Sequence, residues 1–316
     1  MVSENESLTE ASGFQTLLCS DDFGAWQTVV SSTLGHHHSR LQSGPHTFSA
    51  QLGCAVVDEY PVLSIQGTGR LDLLREQCAD AVLWLPQEGL MQETINGVEV
   101  LAEPGTALLF CPGDVMHGLS ADLVRGFSIL IPPQQLAQLQ LASPLLREGL
   151  APQQLIKAAH DLVAAAAMGK PDASCAAEHF ADALAQDLRP PDLQDKRERV
   201  TATRRRSLVF EACIWMQERL AERFSVVELS EALDVSVRTV QNSFQTELGC
   251  SPMAELKRLR LRQLRTQLLD PELDSLSISA LMNQAGLLAC GVTAADYERW
   301  CGELPRRTRR RLWPRR

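Results

Sequence analysis

Residues 225–249, SVVELSEALDVSVRTVQNSFQTELG, carry the strongest local structure signals of the chain. Ser225 followed three residues later by Glu228 forms a capping box that begins one short helix. Asp234-Val235-Ser236 then turns the chain, and Ser236 is a favourable N-cap for a second helix. Gly249 is well placed to end that helix. Its apolar residues recur on one face, at i, i+4 and i+8: Val240, Phe244 and Leu248. Two short helices joined by a tight turn are the pattern of a helix-turn-helix.

The outer face of the second predicted helix consists of amides and one arginine. Arginine can donate two hydrogen bonds to guanine, and asparagine or glutamine can pair with adenine in the major groove. The residues that we expect to contact DNA are Arg238, Gln241 and Asn242, flanked by Val237 and Gln245. A solvated polar face would have the same composition, so the residue types alone leave both interpretations open.

The sequence after Gly249 predicts further helices. Ser251 is a suitable N-cap and Pro252 suits the first helical position. The buried stripe of this helix is predicted to be Leu256, Leu259, Leu264 and Leu268. Its basic residues are predicted to lie mostly outside: Lys257, Arg258, Arg260, Arg262 and Arg265. Ser277 then caps a shorter helix, with Ile278, Leu281, Met282 and Ala285 inside, and the segment GVTAADYERWCGELP is its predicted partner.

Charge is distributed unevenly along the chain. Residues 1–195 hold 8 Lys+Arg and 24 Asp+Glu, a balance of −16, whereas residues 196–316 hold 22 and 15, a balance of +7; together they give the net −9. A basic region joined to an acidic one suggests that the basic region meets a polyanion.

Two stretches of this basic region resemble the AraC/XylS family of transcription regulators. They are LSEALDVSVRTVQNSFQTELGCSPMAELKRLRLRQLRTQLL and QAGLLACGVTAADYERWCGELP. The longer stretch carries the Ser-started helix with its buried aliphatic and Phe, followed by L-G-x-S-P and an R-L-x-x-x-R helix. The shorter stretch is most similar to the ethanolamine-operon regulator type, in the residues Gly286, Gly291, Ala294, Asp296 and Tyr297.

The resemblance implies a double helix-turn-helix whose two recognition helices enter successive major-groove segments of double-stranded DNA, at a promoter or operator. It supports base contacts by the polar face defined above, and contacts from the basic helix that add affinity, for which Lys257 and Arg258 are the predicted residues. The terminal RRTRRRLWPRR either contacts phosphates or stays solvated.

The second module departs from the family pattern. Leu287 and Thr293 stand where a Phe and another apolar anchor are usual, and the predicted cap, Ala289, cannot accept a hydrogen bond from the helix. Its predicted reading positions are Cys290, Gly291, Ala294 and Ala295, which offer no strong directional contact to bases. We therefore expect this half to dock on DNA rather than read sequence. The alternative is that Ala294 or Ala295 contacts thymine methyl groups.

The N-terminal half predicts a different structure. Between residues 48 and 131, short runs bounded by Gly, Pro and Asn read as strands, with a hairpin at Asn96-Gly97. This half resembles, more weakly, the cupin-type sensor domain. The predicted fold class is α+β in two domains. The predicted boundaries are a β-rich, antiparallel, cupin-like regulatory domain at 1–132, a helical connector or dimerisation segment at 133–188, a linker at 189–206 and an AraC-type DNA-binding domain at 207–316.

Several features of the N-terminal half could suggest a metal or redox site. Adjacent residues of an extended segment point to alternate sides, so His36 to His38 cannot all face one ion, and a surface loop is expected there. His117 lies in a turn that resembles a cupin motif, but no Glu stands between His38 and Asp58. We predict no metal and no cofactor. The cysteines of the predicted strands are expected to be core residues rather than redox sensors: Cys54, Cys78 and Cys111.

The chain has no P-loop, no dinucleotide glycine fingerprint and no G-x-S-x-G motif, so we expect no enzymatic activity. It has no run of 18 apolar residues and no basic-then-apolar signal segment, and its nine cysteines form no C-x-x-C pair. A cytoplasmic protein without a membrane partner is therefore expected.

The sequence thus predicts an effector-responsive transcription regulator. A small-molecule effector of unknown identity, RNA polymerase and a second copy of the chain are further candidate partners. The alternatives are a cupin-type metal or small-molecule binding protein or enzyme with a vestigial helix-turn-helix, and a DNA-binding or interaction protein without an effector.

Overall fold

A computed structural model describes residues 13–42, 48–75, 81–138, 153–169, 174–188 and 196–310. The chain divides into two compact units, residues 1–189 and 190–316. The first is built mainly from antiparallel strands and the second from helices, which confirms the predicted fold class.

The first unit contains two antiparallel sheets. The six-stranded sheet has the order β1-β3-β4-β11-β6-β9, and its strands are β1 (Gln15–Ser20), β3 (Ser49–Val57), β4 (Tyr60–Thr68), β6 (Ala81–Glu88), β9 (Leu108–Phe110) and β11 (Leu123–Ile131). The five-stranded sheet has the order β2-β5-β10-β7-β8, and its strands are β2 (His38–Leu41), β5 (Leu71–Arg75), β7 (Met91–Ile95), β8 (Val98–Ala102) and β10 (Met116–Ser120). Helix α1 (Phe23–Leu34) packs with them.

The predicted hairpin at Asn96-Gly97 is confirmed. It joins β7 to β8, with Ile95 paired to Val98. Asn96 has φ 50° and Gly97 has φ 85°, the left-handed values that a two-residue type I′ turn requires. The pairing of β7 with β8 is therefore fixed by local turn chemistry.

The six-stranded sheet is covered on both faces. In β6, Val82 and Trp84 face the space between the two sheets, together with side chains of α1. Leu83 and Leu85 face the opposite side, where they meet two helices, α3 (Gln153–Met168) and α4 (Ser174–Leu188). Because both faces are buried, β6 has an almost continuous apolar sequence rather than an alternating one.

Helices α3 and α4 share a core with the six-stranded sheet. Leu162 and Phe180 are 0 % exposed, and the Phe180 ring meets the Tyr60 ring edge-on with 5.0 Å between centroids. Burying side chains of this size contributes about 1.5–3 kcal/mol each. The segment predicted as a connector, which also includes α2 (Pro133–Gln138), therefore supplies part of the packing of the first unit.

The second unit is a run of capped helices: α5 (Lys196–Glu218), α6 (Val226–Ala232), α7 (Val237–Leu248), α8 (Pro252–Leu269), a short 3₁₀ helix (Pro271–Leu273), α9 (Ile278–Gln284), α10 (Gly291–Cys301) and α11 (Pro305–Arg310). Helix α5 begins inside the segment predicted as a linker, so residues 196–206 are helical. Of the helices in the described ranges, none is both long and apolar enough to span a bilayer.

Candidate nucleic-acid interface

The first helix-turn-helix consists of α6 and α7. The predicted capping box is confirmed, because the Glu228 backbone N donates to Ser225 Oγ at 3.3 Å and the Ser225 backbone N donates to Glu228 Oε2 at 2.8 Å. The Ser225 backbone donor lowers the pKa of the Glu228 carboxyl. Ser236 begins α7, where its Oγ accepts from the Thr239 backbone N at 3.1 Å. Both helix starts are thus encoded within four residues of sequence.

Three apolar side chains fix the rotation of α7. Val240 and Phe244 are 0 % exposed, and Leu248 is 6 % exposed. They pack in one cluster with residues of α5, α6 and α8. Gly249 ends the helix with φ 64°, as predicted. The side of α7 that faces solvent is therefore the side opposite Val240 and Phe244.

The solvent-facing side of α7 carries the predicted base-contacting residues. Their side chains are exposed, and no hydrogen bond or ion pair joins them to another described residue: Arg238, Gln241, Asn242 and Gln245. Val237 is half-buried at the start of the helix. The structure brings the four polar groups together on one face, where their donors and acceptors remain available to a ligand.

The prediction that the basic residues of α8 lie mostly outside is wrong for most of them. Arg258 is only 15 % exposed and pairs with the buried Glu255 at 2.6 Å. Arg260 donates to the backbone oxygens of Leu220 at 2.8 Å and Glu222 at 2.6 Å. Arg262 and Arg265 are also half-buried, because α8 packs against neighbours on several sides.

Lys257 is the exception on α8, because it is exposed. Its Nζ lies 2.6 Å from Asp296 Oδ2 on α10, and Arg299 Nη1 lies 3.2 Å from Asp296 Oδ1. The predicted contact residues of α8 thus differ: Lys257 stands at the surface beside α10, whereas Arg258 is largely occupied within the domain.

The second helix-turn-helix consists of α9 and α10. Thr293, Tyr297 and Cys301 are buried in α10 at the same spacing as Val240, Phe244 and Leu248 in α7, and Gly302 ends α10 with φ 80°. The predicted N-cap was wrong by one residue. Cys290, not Ala289, precedes the helix, and its Sγ lies 3.5 Å from Thr293 Oγ1, a contact that lowers the pKa of the thiol.

The outer face of α10 is almost without polar groups in its first turns. By the spacing of the buried residues, Gly291, Ala294 and Ala295 correspond to Arg238, Gln241 and Asn242 of α7. Val292 is 72 % exposed. This face offers hydrocarbon to a ligand, whereas the face of α7 offers hydrogen-bonding groups.

A buried hydroxyl network joins α10 to α11. Tyr297 Oη donates to Thr308 Oγ1 at 3.0 Å, and Thr308 Oγ1 donates to Glu303 Oε1 at 2.9 Å. All three residues are 2 % exposed or less. Helix α11 then presents the exposed residues Arg306, Arg307 and Arg310, while residues 311–316 of the predicted tail lie outside the described residues.

A helix-turn-helix family model matches residues 229–311. The chain is 29 % identical over 91 residues to the probable thc operon regulatory protein of Rhodococcus erythropolis, and 30 % identical over 96 residues to the XylDLEGF operon transcriptional activator of Pseudomonas putida. These matches span 29 % and 30 % of this chain, and 27 % and 30 % of the two relatives. The C-terminal region is a helix-turn-helix domain of the AraC/XylS type.

Two solved structures align over more of the chain. The AraC-like transcriptional activator CuxR is 15 % identical, with 79 % of this chain and 94 % of that chain covered and a TM-score of 0.43. ToxT from Vibrio cholerae is 9 % identical, with the same two coverages and a TM-score of 0.30. The AraC-type domain therefore rests on the family model and the curated relatives, which the chain matches over less than a third of their length.

The histidines that precede the AraC-type domain are not gathered into one site. The expectation of a surface loop at His36 to His38 is wrong for His37, which is 5 % exposed, because its ring packs edge-on against Trp26. Burial lowers the pKa of His37 to about 4. His36 and His38 are exposed, as alternation requires. His117 Nε2 lies 2.8 Å from Asp72 Oδ1 near the surface.

The cysteines expected in the core are only partly buried. Cys54 and Cys111 have intermediate exposure, and burial raises the pKa of Cys54. Cys78 lies outside the described residues. Among the residues that the structure places, no three His, Cys, Asp or Glu side chains are arranged to hold a metal ion.

The buried acid Glu93 was not among the residues predicted from the sequence to form a site. Glu93 is 1 % exposed and lines a cavity of about 130 Å³ between the two sheets. The sequence did indicate this position. Glu93 lies two residues after Met91 and two before Ile95 in β7, so its side chain shares their inward face.

Proposed function

We propose that this chain is a sequence-specific, double-stranded-DNA-binding transcription regulator of the AraC type, whose N-terminal unit responds to a small molecule. The observation that carries the proposal is the solvent-facing side of α7, where four polar side chains without protein partners lie opposite a fully buried apolar stripe. Side chains that read base edges must be exposed and must project from an element whose orientation is fixed. Helix α7 meets both conditions, because its buried stripe fixes its rotation.

The proposed roles follow from the position of each residue. Arg238 would contact guanine, and Gln241 and Asn242 would contact adenine, each good bidentate contact contributing about 1–3 kcal/mol of discrimination. Val237 and Gln245 would flank these contacts. Lys257 would add affinity through phosphates from its place beside α10. Arg258, although predicted as a contact, would act by holding Glu255 and therefore the start of α8.

The second module would dock on DNA without polar base contacts. Its outer face presents Gly291, Val292 and Ala295, which match the methyl groups of thymine better than the hydrogen-bonding edges of guanine. Residues 196–316 carry a net positive charge, which attracts DNA to both helix-turn-helix modules.

The same proposal assigns a function to each unit of the chain. Residues 1–132 would form the regulatory domain, residues 133–188 would complete its packing and offer a surface for dimerisation, and residues 207–316 would bind DNA after the linker at 189–206. The effector would shift the equilibrium between DNA-competent and DNA-incompetent states of the chain. RNA polymerase and a second copy of the chain remain candidate partners.

The test is selection of bound sites from a random duplex library with the full chain, followed by affinity measurements on the selected site. We expect a steep loss of affinity with salt. Arg238→Ala, Gln241→Ala and Asn242→Ala are each expected to weaken specific binding by about 5- to 150-fold and to relax preference at one or two base pairs.

Gln217→Ala, at an exposed position of α5, is the matched control and should leave affinity and preference unchanged. If the three α7 variants bind with the affinity and preference of the parent chain, the assignment of α7 as the reading helix is wrong. If the full chain selects no sequence at all, the proposed function is wrong.

A further inference from the structure

An apolar cavity lies between the two sheets of the first unit. Its volume is about 130 Å³, close to that of an engineered protein cavity that binds benzene. Aromatic side chains form much of its wall: Trp26, Phe48, Trp84 and Phe110. The aromatic rings and the small volume suit a ligand of roughly six to ten heavy atoms that is largely hydrocarbon.

Glu93 is the acid in this wall. Both of its carboxyl oxygens are buried, and neither accepts or donates a hydrogen bond among the described residues. Gly118 lies directly across from Glu93 in β10, and a Cβ at Gly118 would stand 2.5 Å from Glu93 Oε2. The missing side chain at Gly118 therefore leaves the space in which the carboxyl sits.

A buried carboxyl without partners is unfavourable. An unsatisfied buried polar group costs about 1–3 kcal/mol, and more when it is charged. Burial raises the pKa of Glu93 to about 7, while the positive charge of Arg75 acts in the opposite direction. The folded chain thus maintains a hydrogen-bond acceptor for which the described residues provide no donor.

We propose that this cavity binds a small amine, with its ammonium group against Glu93 and its hydrocarbon part among the aromatic side chains. An ammonium offers three N–H donors to the Glu93 carboxylate, whose oxygens accept no hydrogen bond from the described residues. The faces of aromatic rings attract a cation, most strongly the indole of tryptophan. That this amine is the effector of a transcription regulator rests on the function proposed above. That the cavity binds an amine does not depend on it.

The other charged residue in the wall does not favour an acid as the ligand. Among the described residues that line the cavity, Arg75 is the only one besides Glu93 that carries a charge. Arg75 Nη1 already donates to the backbone oxygen of Leu34, at the end of α1. Glu93 therefore still lacks a donor, while the indole N–H of Trp84 in the same wall lacks an acceptor among the described residues.

The test is isothermal titration calorimetry of the full chain with three probes of one carbon skeleton: benzylamine, benzyl alcohol and benzoate, at pH 8. We expect benzylamine to bind at least about tenfold more tightly than benzyl alcohol, and benzoate to bind most weakly. Glu93→Gln should remove the preference for the amine, and Glu99→Gln, on the exposed side of β8, should preserve it.

The comparison of the three probes needs no variant, so a folding defect in Glu93→Gln cannot obscure it. Equal or tighter binding of benzoate or benzyl alcohol would overturn the proposal, as would the absence of binding by all three or an amine preference that survives Glu93→Gln. Specific DNA binding is measured separately on the same preparation. Loss of one activity with retention of the other therefore shows which of the two proposals fails.

Discussion

Replacing Glu93 by Gln should change how the stability of the first unit depends on pH. The folded-state pKa of about 7 lies above the ordinary value of 4.5. Between these values the unfolded chain loses the proton of Glu93 while the folded chain keeps it. The carboxyl therefore favours unfolding increasingly as pH rises through this window, and the effect is constant above pH 7.

The magnitude follows from the size of the shift. Each pKa unit corresponds to about 1.4 kcal/mol, so the raised pKa costs the folded state on the order of 3 kcal/mol at pH 8 and only a fraction of that at pH 5. Gln has nearly the shape of the protonated acid and does not ionise. We expect Glu93→Gln to gain about 2–3 kcal/mol of stability relative to the parent chain on going from pH 5 to pH 8.

The assay is urea unfolding of the full chain at pH 5 and pH 8, with pulsed hydrogen exchange and mass spectrometry reporting on the amides of β6 and β7. This readout separates the first unit from the helical unit, which unfolds independently if the two are separate cooperative units. Glu99→Gln serves as the control, because that carboxyl is exposed. The reasoning is refuted if parent and Glu93→Gln lose equal stability between the two pH values, or if the parent gains more.

Four further substitutions test the helical unit. Gly286→Ala should destabilise this unit in urea unfolding, because Gly286 has φ 74° and a Cβ there would stand 1.8 Å from Leu220 O. Gly291→Ala is the control and should be tolerated, because a Cβ there meets no atom within 4 Å. Equal loss of stability in the two variants would contradict this reasoning. Thr308→Val should cost about 1–3 kcal/mol by leaving its buried partners unsatisfied, and a neutral result in thermal unfolding would count against the network. Ser236→Ala should lower the free energy of unfolding by about 1 kcal/mol and weaken DNA binding in a mobility-shift assay. Unchanged stability and binding would show that the cap contributes nothing.

The helix boundaries of the AraC-type domain could be predicted because their causes are local. Ser225, Ser236, Ser251 and Ser277 each cap the helix that follows, as their sequences indicate. The error at Ala289 has the same origin. Neither Ala289 nor Cys290 is a favoured cap, so the sequence carried no signal to choose between them.

The surroundings of the charged residues could not be predicted from the same sequence. Arg258 and Arg260 occupy positions on α8 that an isolated helix would expose. Arg258 pairs with Glu255 of the same helix, but this pair becomes buried only when the helices pack together. The backbone oxygens that Arg260 reaches, on Leu220 and Glu222 after α5, come within range only through the same packing. Glu93 presents the opposite case, since its alternation in β7 indicated an inward position, but the preference of carboxylates for water argued against it.

The first unit also extends further back along the chain than its strand pattern suggested. Residues 15–41 form β1, α1 and β2, which complete both sheets and one wall of the cavity. Trp26 and His37 pack together there. His37 becomes a core residue through this contact, which the run of three histidines did not indicate.

The two units differ in how far apart along the chain their partners lie, and this should affect how a new chain folds. Helices begun by neighbouring serines form quickly, whereas β11 must find β4, with Leu123 paired to Thr68, before the first sheet exists. Synthesis at 5–20 residues per second takes roughly 6–25 s to add residues 190–316. The slower β unit therefore has a head start on the ribosome that is long compared with the roughly millisecond-to-second folding times of β topologies, and it should fold before the helical unit. A denatured full-length chain has no such head start, so its helical unit should refold first.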